Sequence, residues 1–210
     1  MAAVVEQFAT AKEKSSIPMM DAPPKSTVPP KRFTFEQALK LADGRPFELI
    51  DGRIVFKMAD NFHSESQARL GGKLFVYLEA NPIGRVRTES TIRPWPDNPY
   101  ESRVPDITVV LNENIRAGEK HDTRAPDLAV EIVSYKDRWT GFFQKARLYL
   151  EKGSRMVWIV DPYEKAVFVI TPNEERWVRD TLTCPEVLPG FSINVQDIFN
   201  WPVAVAKNQL

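Results

Sequence analysis

Two acidic residues of this sequence stand inside strongly apolar stretches. Asp106 lies in the segment VPDITVV (104–110), and Glu131 lies in the middle of AVEIV (129–133). A buried carboxylate is unfavourable unless it is paired or binds a cation. A hard divalent ion such as Mg²⁺ needs one or two carboxylates, with water and phosphate oxygens as its other ligands. The sequence therefore predicts that Asp106 and Glu131 together hold Mg²⁺, with Mn²⁺ as a substitute.

Lys145 is the basic residue whose position suits the same site. It follows Glu131 by fourteen residues and lies in a predicted helix just beyond the strand of Glu131. Helical side chains lean toward the N-terminus of their helix, so Lys145 is expected to point back toward that strand. There an ammonium group would orient a water molecule or stabilise negative charge on a phosphate.

Glu48 and His63 are further candidates for this site. Glu48 lies within the apolar strand FELI (47–50), where it would support the metal or a bound water. His63 lies near the start of a later predicted helix and is expected to approach the same cleft. The alternative for His63 is a structural hydrogen bond, which is the more common role of a single histidine.

Three residues compete with these assignments. Asp127 follows a proline, and its spacing of four residues from Glu131 places both on one side of a strand. Its position at the strand entrance, however, is typical of a turn residue. Gln144 stands beside Lys145 and is an alternative to it, and Lys136 is another alternative in the preceding turn.

The elements that must position these residues follow from periodicity and turn signals. Asp-Gly at 51–52, between two apolar runs, is a strong hairpin signal, and Thr34 and Gln37 have capping-box spacing. Apolar spacing predicts helices at about 34–44, 62–80 and 138–151, and strands at about 47–50, 53–56, 84–93, 105–111, 127–133, 156–160 and 166–170. A short terminal strand and a helical turn around 195–199 are expected to complete the chain.

The connections between these elements predict the fold class. The strand–helix–strand unit over 127–160 needs a crossover, which indicates a parallel pair of strands. The hairpins indicate antiparallel pairs elsewhere. We therefore expect an α/β fold with a mixed central β-sheet flanked by helices.

Length and composition limit the class of protein. The 210 residues suit one domain with a substantial core, and 28 Lys and Arg residues balance 28 Asp and Glu residues. This balance argues against a strongly basic protein that coats nucleic acid without specificity. Residues 1–32 are rich in proline and predict a disordered leader, followed by a folded domain at 33–202 and a tail at 203–210.

The sequence lacks the features of secreted and membrane proteins. Its single cysteine, Cys184, excludes an internal disulfide, and no apolar run is long enough to span a membrane. The N-terminal residues do not resemble a secretory signal. We therefore expect a cytoplasmic location and no membrane partner.

Four arginines lie around one predicted strand and the loop beyond it, namely Arg85, Arg87, Arg93 and Arg103. Alternate ones would face the phosphates of a nucleic-acid backbone. A solvated strand face explains them equally well, so both interpretations stay open.

Taken together, these motifs resemble a known family. In order, the chain contains FELIDG (47–52), His63 early in a helix, VPDITVV (104–110), PDLAVEIVS (126–134), QKARLYL (144–150), Gly153 and VWIVDP (157–162). This ordered set, over about residues 34–200, resembles the Uma-two family of restriction-endonuclease-like proteins in the PD-(D/E)XK nuclease superfamily. The resemblance implies a restriction-endonuclease-like core, a divalent metal and hydrolysis of phosphodiester bonds. It also implies roles in that chemistry for Glu48, Asp106, Glu131 and Lys145.

One position departs from the superfamily pattern. The plain motif has lysine two residues after the second acid, where this sequence has Val133. The resemblance implies that Lys145, from the adjacent helix, supplies the amine instead. We expect an endonuclease that acts on nucleic acid, with DNA as the substrate. Analogy with restriction enzymes suggests a homodimer.

Two other functions fit the same residues. Val133 and the even net charge favour a catalytically inactive nuclease-fold module that binds nucleic acid or a protein partner. A metal-dependent hydrolase of a small phosphoester is the third interpretation. Cutting of nucleic acid that requires both a metal and Lys145 distinguishes the endonuclease from the other two.

Overall fold

The structure is a computed structural model that describes residues 31–135 and 137–200. Most of the expected leader and all of the expected C-terminal tail lie outside the described residues, as does Lys136. Among the described residues, none of the helices combines the length and the apolar character that a membrane span requires.

The described chain contains four α-helices and ten strands. The helices are α1 (Phe35–Ala42), α2 (Asn61–Ala80), α3 (Trp139–Glu151) and α4 (Gln196–Phe199), and a short 3-10 turn covers Asn112–Asn114. The strands are β1 (Phe47–Ile50), β2 (Arg53–Phe56), β3 (Gly84–Thr88), β4 (Ile107–Leu111), β5 (Leu128–Ile132), β6 (Met156–Asp161), β7 (Ala166–Ile170), β8 (Glu175–Val178), β9 (Thr181–Cys184) and β10 (Leu188–Asn194).

A six-stranded sheet forms the centre of the fold, in the order β3-β4-β5-β6-β7-β8. Strands β5 and β6 are parallel and are connected through α3, whereas the other neighbours in this sheet are antiparallel. Two hairpins, β1–β2 and β9–β10, form separate two-stranded sheets. The predicted α/β fold with a mixed central sheet flanked by helices is therefore confirmed.

Local sequence signals determine how the first elements begin and turn. The Thr34 hydroxyl accepts a hydrogen bond from the Gln37 amide at 3.3 Å, and the Gln37 side chain accepts one from the Thr34 amide at 3.0 Å. This capping box starts α1. Asp51 and Gly52 connect β1 to β2 with φ angles of 50° and 74°. A two-residue hairpin turn of this handedness requires positive φ at both positions, which Asp-Gly tolerates.

The central strands are buried on both sides because helices cover both faces of the sheet. One face packs against α2, through buried residues that include Leu70, Leu74, Leu78, Leu128, Val130 and Ile132. The other face packs against α3, through buried residues that include Ala129, Val133, Phe142, Ala146 and Tyr149. Since side chains alternate along a strand, Glu131 of β5 belongs to the α3 face.

Two regions differ from the predicted elements. The strand expected at 84–93 ends at Thr88, because Glu89 has a φ of 50° that interrupts extended backbone. After β7 the sequence predicts one short terminal strand, whereas the structure has the three strands β8, β9 and β10. Their sequences include ERWV and TLTC, in which polar residues weaken the apolar pattern on which the prediction depends.

Candidate active site

The two acidic residues expected to bind metal lie opposite each other: Glu131 is in β5, and Asp106 directly precedes β4. Strands β4 and β5 are antiparallel, with Ile107 opposite Val130. Extending this register by one residue places Asp106 opposite Glu131. Residues directly opposite each other in antiparallel strands have Cβ atoms about 4.5–5.5 Å apart. Both residues are buried, with 1% and 2% of their surface exposed.

Asp106 is held by groups from three parts of the chain. Its Oδ1 accepts a hydrogen bond from Lys57 Nζ, and its Oδ2 lies 3.2 Å from His63 Nε2. The Ile132 amide also donates to Oδ2, at 2.6 Å. Burial alone would raise the pKa of Asp106, but the hydrogen bond with His63 and the charge of Lys57 outweigh it and lower the pKa to about 2. Asp106 is therefore ionised at neutral pH.

Glu131 is bound through both oxygens by residues of α3. Lys145 Nζ donates to Oε2 at 3.0 Å, and the Tyr149 hydroxyl donates to Oε1 at 2.6 Å. Tyr149 is four residues after Lys145, so one face of α3 supplies both donors. Burial raises the pKa of Glu131, an effect that Lys145 opposes and Asp106 reinforces.

Lys145 bridges two carboxylates from different strands. Its Nζ lies 3.0 Å from Glu131 Oε2 and 3.0 Å from Glu48 Oε1. Glu48 is itself buried in β1, and its Oε1 accepts a hydrogen bond from the Val104 amide at 3.1 Å. Burial alone would lower the pKa of Lys145, but the charges of Glu131 and Glu48 outweigh it and raise the pKa. Lys145 is therefore charged at neutral pH.

These residues line one open cleft of about 380 Å³. Its walls come from the end of β2, the start of α2, the end of β5 and the first turns of α3. The cleft is lined by six of the candidates predicted from sequence, Glu48, His63, Asp106, Glu131, Gln144 and Lys145. The fold therefore brings residues that are distant in the chain to one solvent-accessible space.

Asp127, the alternative metal ligand, has a different environment. It directly precedes β5 and contacts the far end of β4, where its carboxylate accepts a hydrogen bond from the Leu111 amide at 2.8 Å. It also accepts from Asn114 Nδ2 at 2.9 Å and lies 3.3 Å from Arg155 Nε. Asp127 thus joins the connection after β4 to the start of β5, as expected of a residue at a strand entrance.

Two further residues contact the candidate site and are not predicted as site residues from the sequence. Lys57 directly follows β2, and its Nζ donates to Asp106 Oδ1 and to the Val104 carbonyl, the latter at 2.7 Å. No local pattern distinguishes it from a surface lysine. Tyr149 is interpreted from the sequence as core, and it is fully buried. Its spacing of four residues from Lys145 is the signal that could have revealed its second role.

The start of α2 positions His63. Asp60 caps this helix, with Oδ1 accepting a hydrogen bond from the His63 amide at 2.9 Å. Asp60 Oδ2 accepts from the Tyr135 amide at 3.0 Å and from the Tyr163 hydroxyl at 2.6 Å. One carboxylate therefore connects α2 to the segments that follow β5 and β6.

Of the four arginines near β3, three have internal contacts. Arg87 forms an ion pair with the Asp122 carboxylate. The Arg93 guanidinium lies over the Phe35 ring, and Arg103 donates a hydrogen bond to the Leu49 carbonyl. Packing within the protein explains their positions. Arg85 is exposed on β3.

The donor chemistry of the cleft fits a hard divalent ion. Asp106 and Glu131 are buried carboxylates at facing positions beside an accessible space, and Mg²⁺ commonly uses such a pair together with water and phosphate oxygens. In the part of the chain that the structure describes, no group of three or more His, Cys, Asp or Glu residues is placed to hold a metal ion.

Comparisons with known proteins agree with this architecture. A family model described as "Uma2: Putative restriction endonuclease" matches residues 34–196. The crystal structure of a "putative nuclease belonging to DUF820" from Anabaena variabilis ATCC 29413 is similar, with a TM-score of 0.68 and 26% sequence identity, over 80% of this chain and 97% of that chain. No curated protein matches the chain. This chain belongs to the Uma2 family of restriction-endonuclease-like proteins, and it has their nuclease-like fold.

Proposed function

We propose that this protein is a divalent-metal-dependent endonuclease that hydrolyses phosphodiester bonds of DNA. The observation that carries the proposal is the juxtaposition of Asp106 and Glu131 across β4 and β5, with Lys145 Nζ 3.0 Å from Glu131. The family description and the similarity to a nuclease support nucleic acid as the substrate. The term restriction endonuclease in that description favours DNA.

Asp106 and Glu131 are the residues that would hold Mg²⁺ or Mn²⁺. When bound, such an ion lowers the pKa of a water ligand and polarises the phosphate that it contacts. Both carboxylates are almost fully buried, so little water screens their attraction for a cation.

Lys145 is the residue that we expect to act on the reacting atoms. Its ammonium group, held between Glu131 and Glu48, would orient the attacking water or stabilise the charge that develops on the phosphate. Such a role needs accurate placement. Glu48 and Tyr149 act as positioning residues, because they hold Lys145 and Glu131 respectively.

Val133 favours an inactive binding module, because it occupies the position at which the superfamily motif has a lysine. Its side chain is buried on the face of the sheet that packs against α3. The superfamily motif has a lysine at this position. In this chain the amine near Glu131 is that of Lys145, which reaches it from α3. This geometry supports catalysis over binding alone.

The test is incubation of the purified protein with supercoiled plasmid, and separately with RNA, in Mg²⁺, Mn²⁺ or EDTA. We expect the plasmid to be cut with either metal and to stay intact in EDTA. Asp106→Ala and Lys145→Ala should each abolish cutting. Asp127→Asn is the matched control, since this carboxylate is also buried but lies outside the cleft, and it should cut normally. Circular dichroism verifies that each variant is folded.

Other outcomes identify the alternatives. Binding of nucleic acid without cutting, unchanged in Asp106→Ala and Lys145→Ala, would support the inactive module. Cutting of RNA but not of plasmid would show that the substrate is RNA and not DNA. Metal-dependent hydrolysis of bis(4-nitrophenyl) phosphate without cutting of either polymer would support the small-phosphoester hydrolase. The homodimer and the cytoplasmic location stay predictions, and sedimentation of the purified chain tests the first.

A further inference from the structure

We propose that Lys57 is a built-in counter-ion that leaves Asp106 when a divalent ion binds and then remains beside the substrate phosphate. This inference rests on the proposed function, because it concerns how the same cleft takes up its metal. None of the motifs identified in the sequence includes Lys57.

Both oxygens of Asp106 are already engaged. Oδ2 accepts a hydrogen bond from the Ile132 amide at 2.6 Å and lies 3.2 Å from His63 Nε2. Oδ1 accepts a hydrogen bond from Lys57 Nζ. A divalent ion that binds Asp106 must therefore share or replace one of these contacts. Two cations on one carboxylate oxygen repel each other, so the ion and the ammonium group compete for Oδ1.

The partners of Oδ2 are poorly suited to move. The Ile132 amide belongs to β5, which lies inside the sheet and pairs with β6 at Val160. His63 lies in the first turn of α2 and is 4% exposed. Displacing the Ile132 amide would disturb the sheet, and displacing the His63 ring would require a buried side chain to move within packed surroundings.

Lys57, by contrast, lies in the segment between β2 and α2, and 18% of its side chain is exposed. Its neighbour Met58 is 86% exposed, so this rim of the cleft is only lightly packed. A lysine side chain rotates about several single bonds, and its ammonium group can therefore withdraw from Asp106 while the backbone stays in place.

The Val104 carbonyl gives the displaced amine a place to remain. It accepts a hydrogen bond from Lys57 Nζ at 2.7 Å, independently of Asp106. Lys57 also lines the cleft, so a retained ammonium group would face a phosphate bound there. Positively charged side chains neutralise backbone phosphates in complexes with nucleic acid. Lys57 would thus neutralise the negative charge of Asp106 before the metal binds and the negative charge of the substrate phosphate afterwards.

Lys145 differs from Lys57 in the number of carboxylates that hold it. Its Nζ lies 3.0 Å from Glu48 as well as from Glu131. If an ion binds Glu131, Glu48 still retains Lys145 in the cleft. The structure therefore assigns the displaceable role to Lys57 and the stationary role to Lys145.

The first experiment measures Mn²⁺ binding to the full chain by isothermal titration calorimetry. We compare the wild type with Lys57→Met, which keeps much of the side-chain length and removes the charge. Lys73→Met is the matched control, because Lys73 forms an ion pair with Asp197 between α2 and α4. We expect Lys57→Met to bind Mn²⁺ at least about tenfold more tightly, since the ion no longer competes with an amine, and Lys73→Met to bind like the wild type.

The second experiment observes Lys57 directly in the wild type, so that it does not depend on the folding of Lys57→Met. Nuclear magnetic resonance of protein labelled with ¹⁵N at the lysine Nζ detects ammonium groups, and Lys57→Arg identifies the Lys57 signal. We expect this signal to shift when Mg²⁺ is added, because the hydrogen bond to Asp106 is lost. The Lys73 signal serves as the reference and should not shift.

The outcomes separate this inference from the proposed function. Metal binding by the wild type, with equal or weaker binding by Lys57→Met, would overturn the displacement of Lys57 and leave the metal-dependent nuclease intact. A Lys57 signal that is unchanged at saturating Mg²⁺ would also overturn the displacement alone. If neither the wild type nor Lys57→Met binds Mn²⁺, the metal dependence in the proposed function fails, and this inference fails with it.

Discussion

The Lys145 ammonium group lies 3.0 Å from Glu131 Oε2 and 3.0 Å from Glu48 Oε1, so it balances two buried carboxylates that come from separate sheets. Glu48 belongs to the β1–β2 hairpin and Glu131 belongs to the central sheet. The contact therefore joins the hairpin to the sheet through a residue of α3, and it links the stability of the fold to the candidate site.

Replacing Lys145 by Met should destabilise the protein as well as stop catalysis. The change leaves Glu131 and Glu48 without their shared cation, and breaking a buried ion pair costs about 3 kcal/mol. Urea unfolding followed by circular dichroism measures the loss. Lys40→Met, at an exposed position on α1, is the control and should change the stability by less than about 0.5 kcal/mol. Equal stability of the wild type and Lys145→Met would show that the bridge contributes little.

Tyr149→Phe tests the other contact of Glu131. The hydroxyl donates to Glu131 Oε1 at 2.6 Å, and its removal leaves that buried oxygen without this donor. We expect a loss of about 1–3 kcal/mol in unfolding free energy, together with slower plasmid cutting, because Glu131 is held less firmly. Tyr135→Phe serves as the control, since Tyr135 is 79% exposed. Unchanged stability and cutting in Tyr149→Phe would remove this residue from the positioning role.

The hydrogen bond between Tyr163 and Asp60 predicts a pH dependence. Burial and this bond raise the pKa of Tyr163 from 10.0 to about 12. The bond stabilises the protonated hydroxyl, so its contribution is fully present below pH 10 and is lost as the pH rises through about 12. Asp60→Asn removes the negative charge and keeps a helix-capping oxygen, and it should lower the Tyr163 pKa toward 10.

Near-ultraviolet absorbance during an alkaline titration measures this change. Tyr163→Phe identifies the contribution of Tyr163, because the transition with a pKa of about 12 should be missing from its titration curve. If the Tyr163 transition has the same pKa in Asp60→Asn as in the wild type, Asp60 does not raise this pKa.

Gly72 offers a stabilising substitution within α2. A Cβ added at this position meets nothing within 4 Å, and glycine in a helix interior costs about 1 kcal/mol relative to alanine. Gly72→Ala should therefore raise the unfolding free energy by up to about 1 kcal/mol in urea. Gly52→Ala should have the opposite effect, because Gly52 has a φ of +74° and a Cβ there would lie 2.7 Å from Arg32 Cβ. A loss of stability in Gly72→Ala would indicate that α2 needs this glycine.

The sequence by itself determined the local features of this protein. Apolar runs around Asp106 and Glu131 predicted that both acids lie on central strands, and the crossover through α3 predicted the parallel pair β5–β6. The Asp-Gly turn and the capping box at Thr34 were equally local, since each depends on residues that are adjacent or three apart. Periodicity and turn chemistry are properties of short segments, and the sequence displays them directly.

The sequence favoured Asp106 and Lys145, but only the tertiary structure shows that Asp106 lies opposite Glu131 and that two amines, from Lys145 and Lys57, reach these carboxylates. The position of Asp106 opposite Glu131 follows from the antiparallel register of β4 and β5, and a slip of one residue would turn the side chain to the other face of the sheet. Lys57 contacts Asp106 only because the segment after β2 packs close to this carboxylate in the folded protein. Such contacts join residues that are far apart in the chain, so they depend on how the elements pack and not on any pattern within one segment.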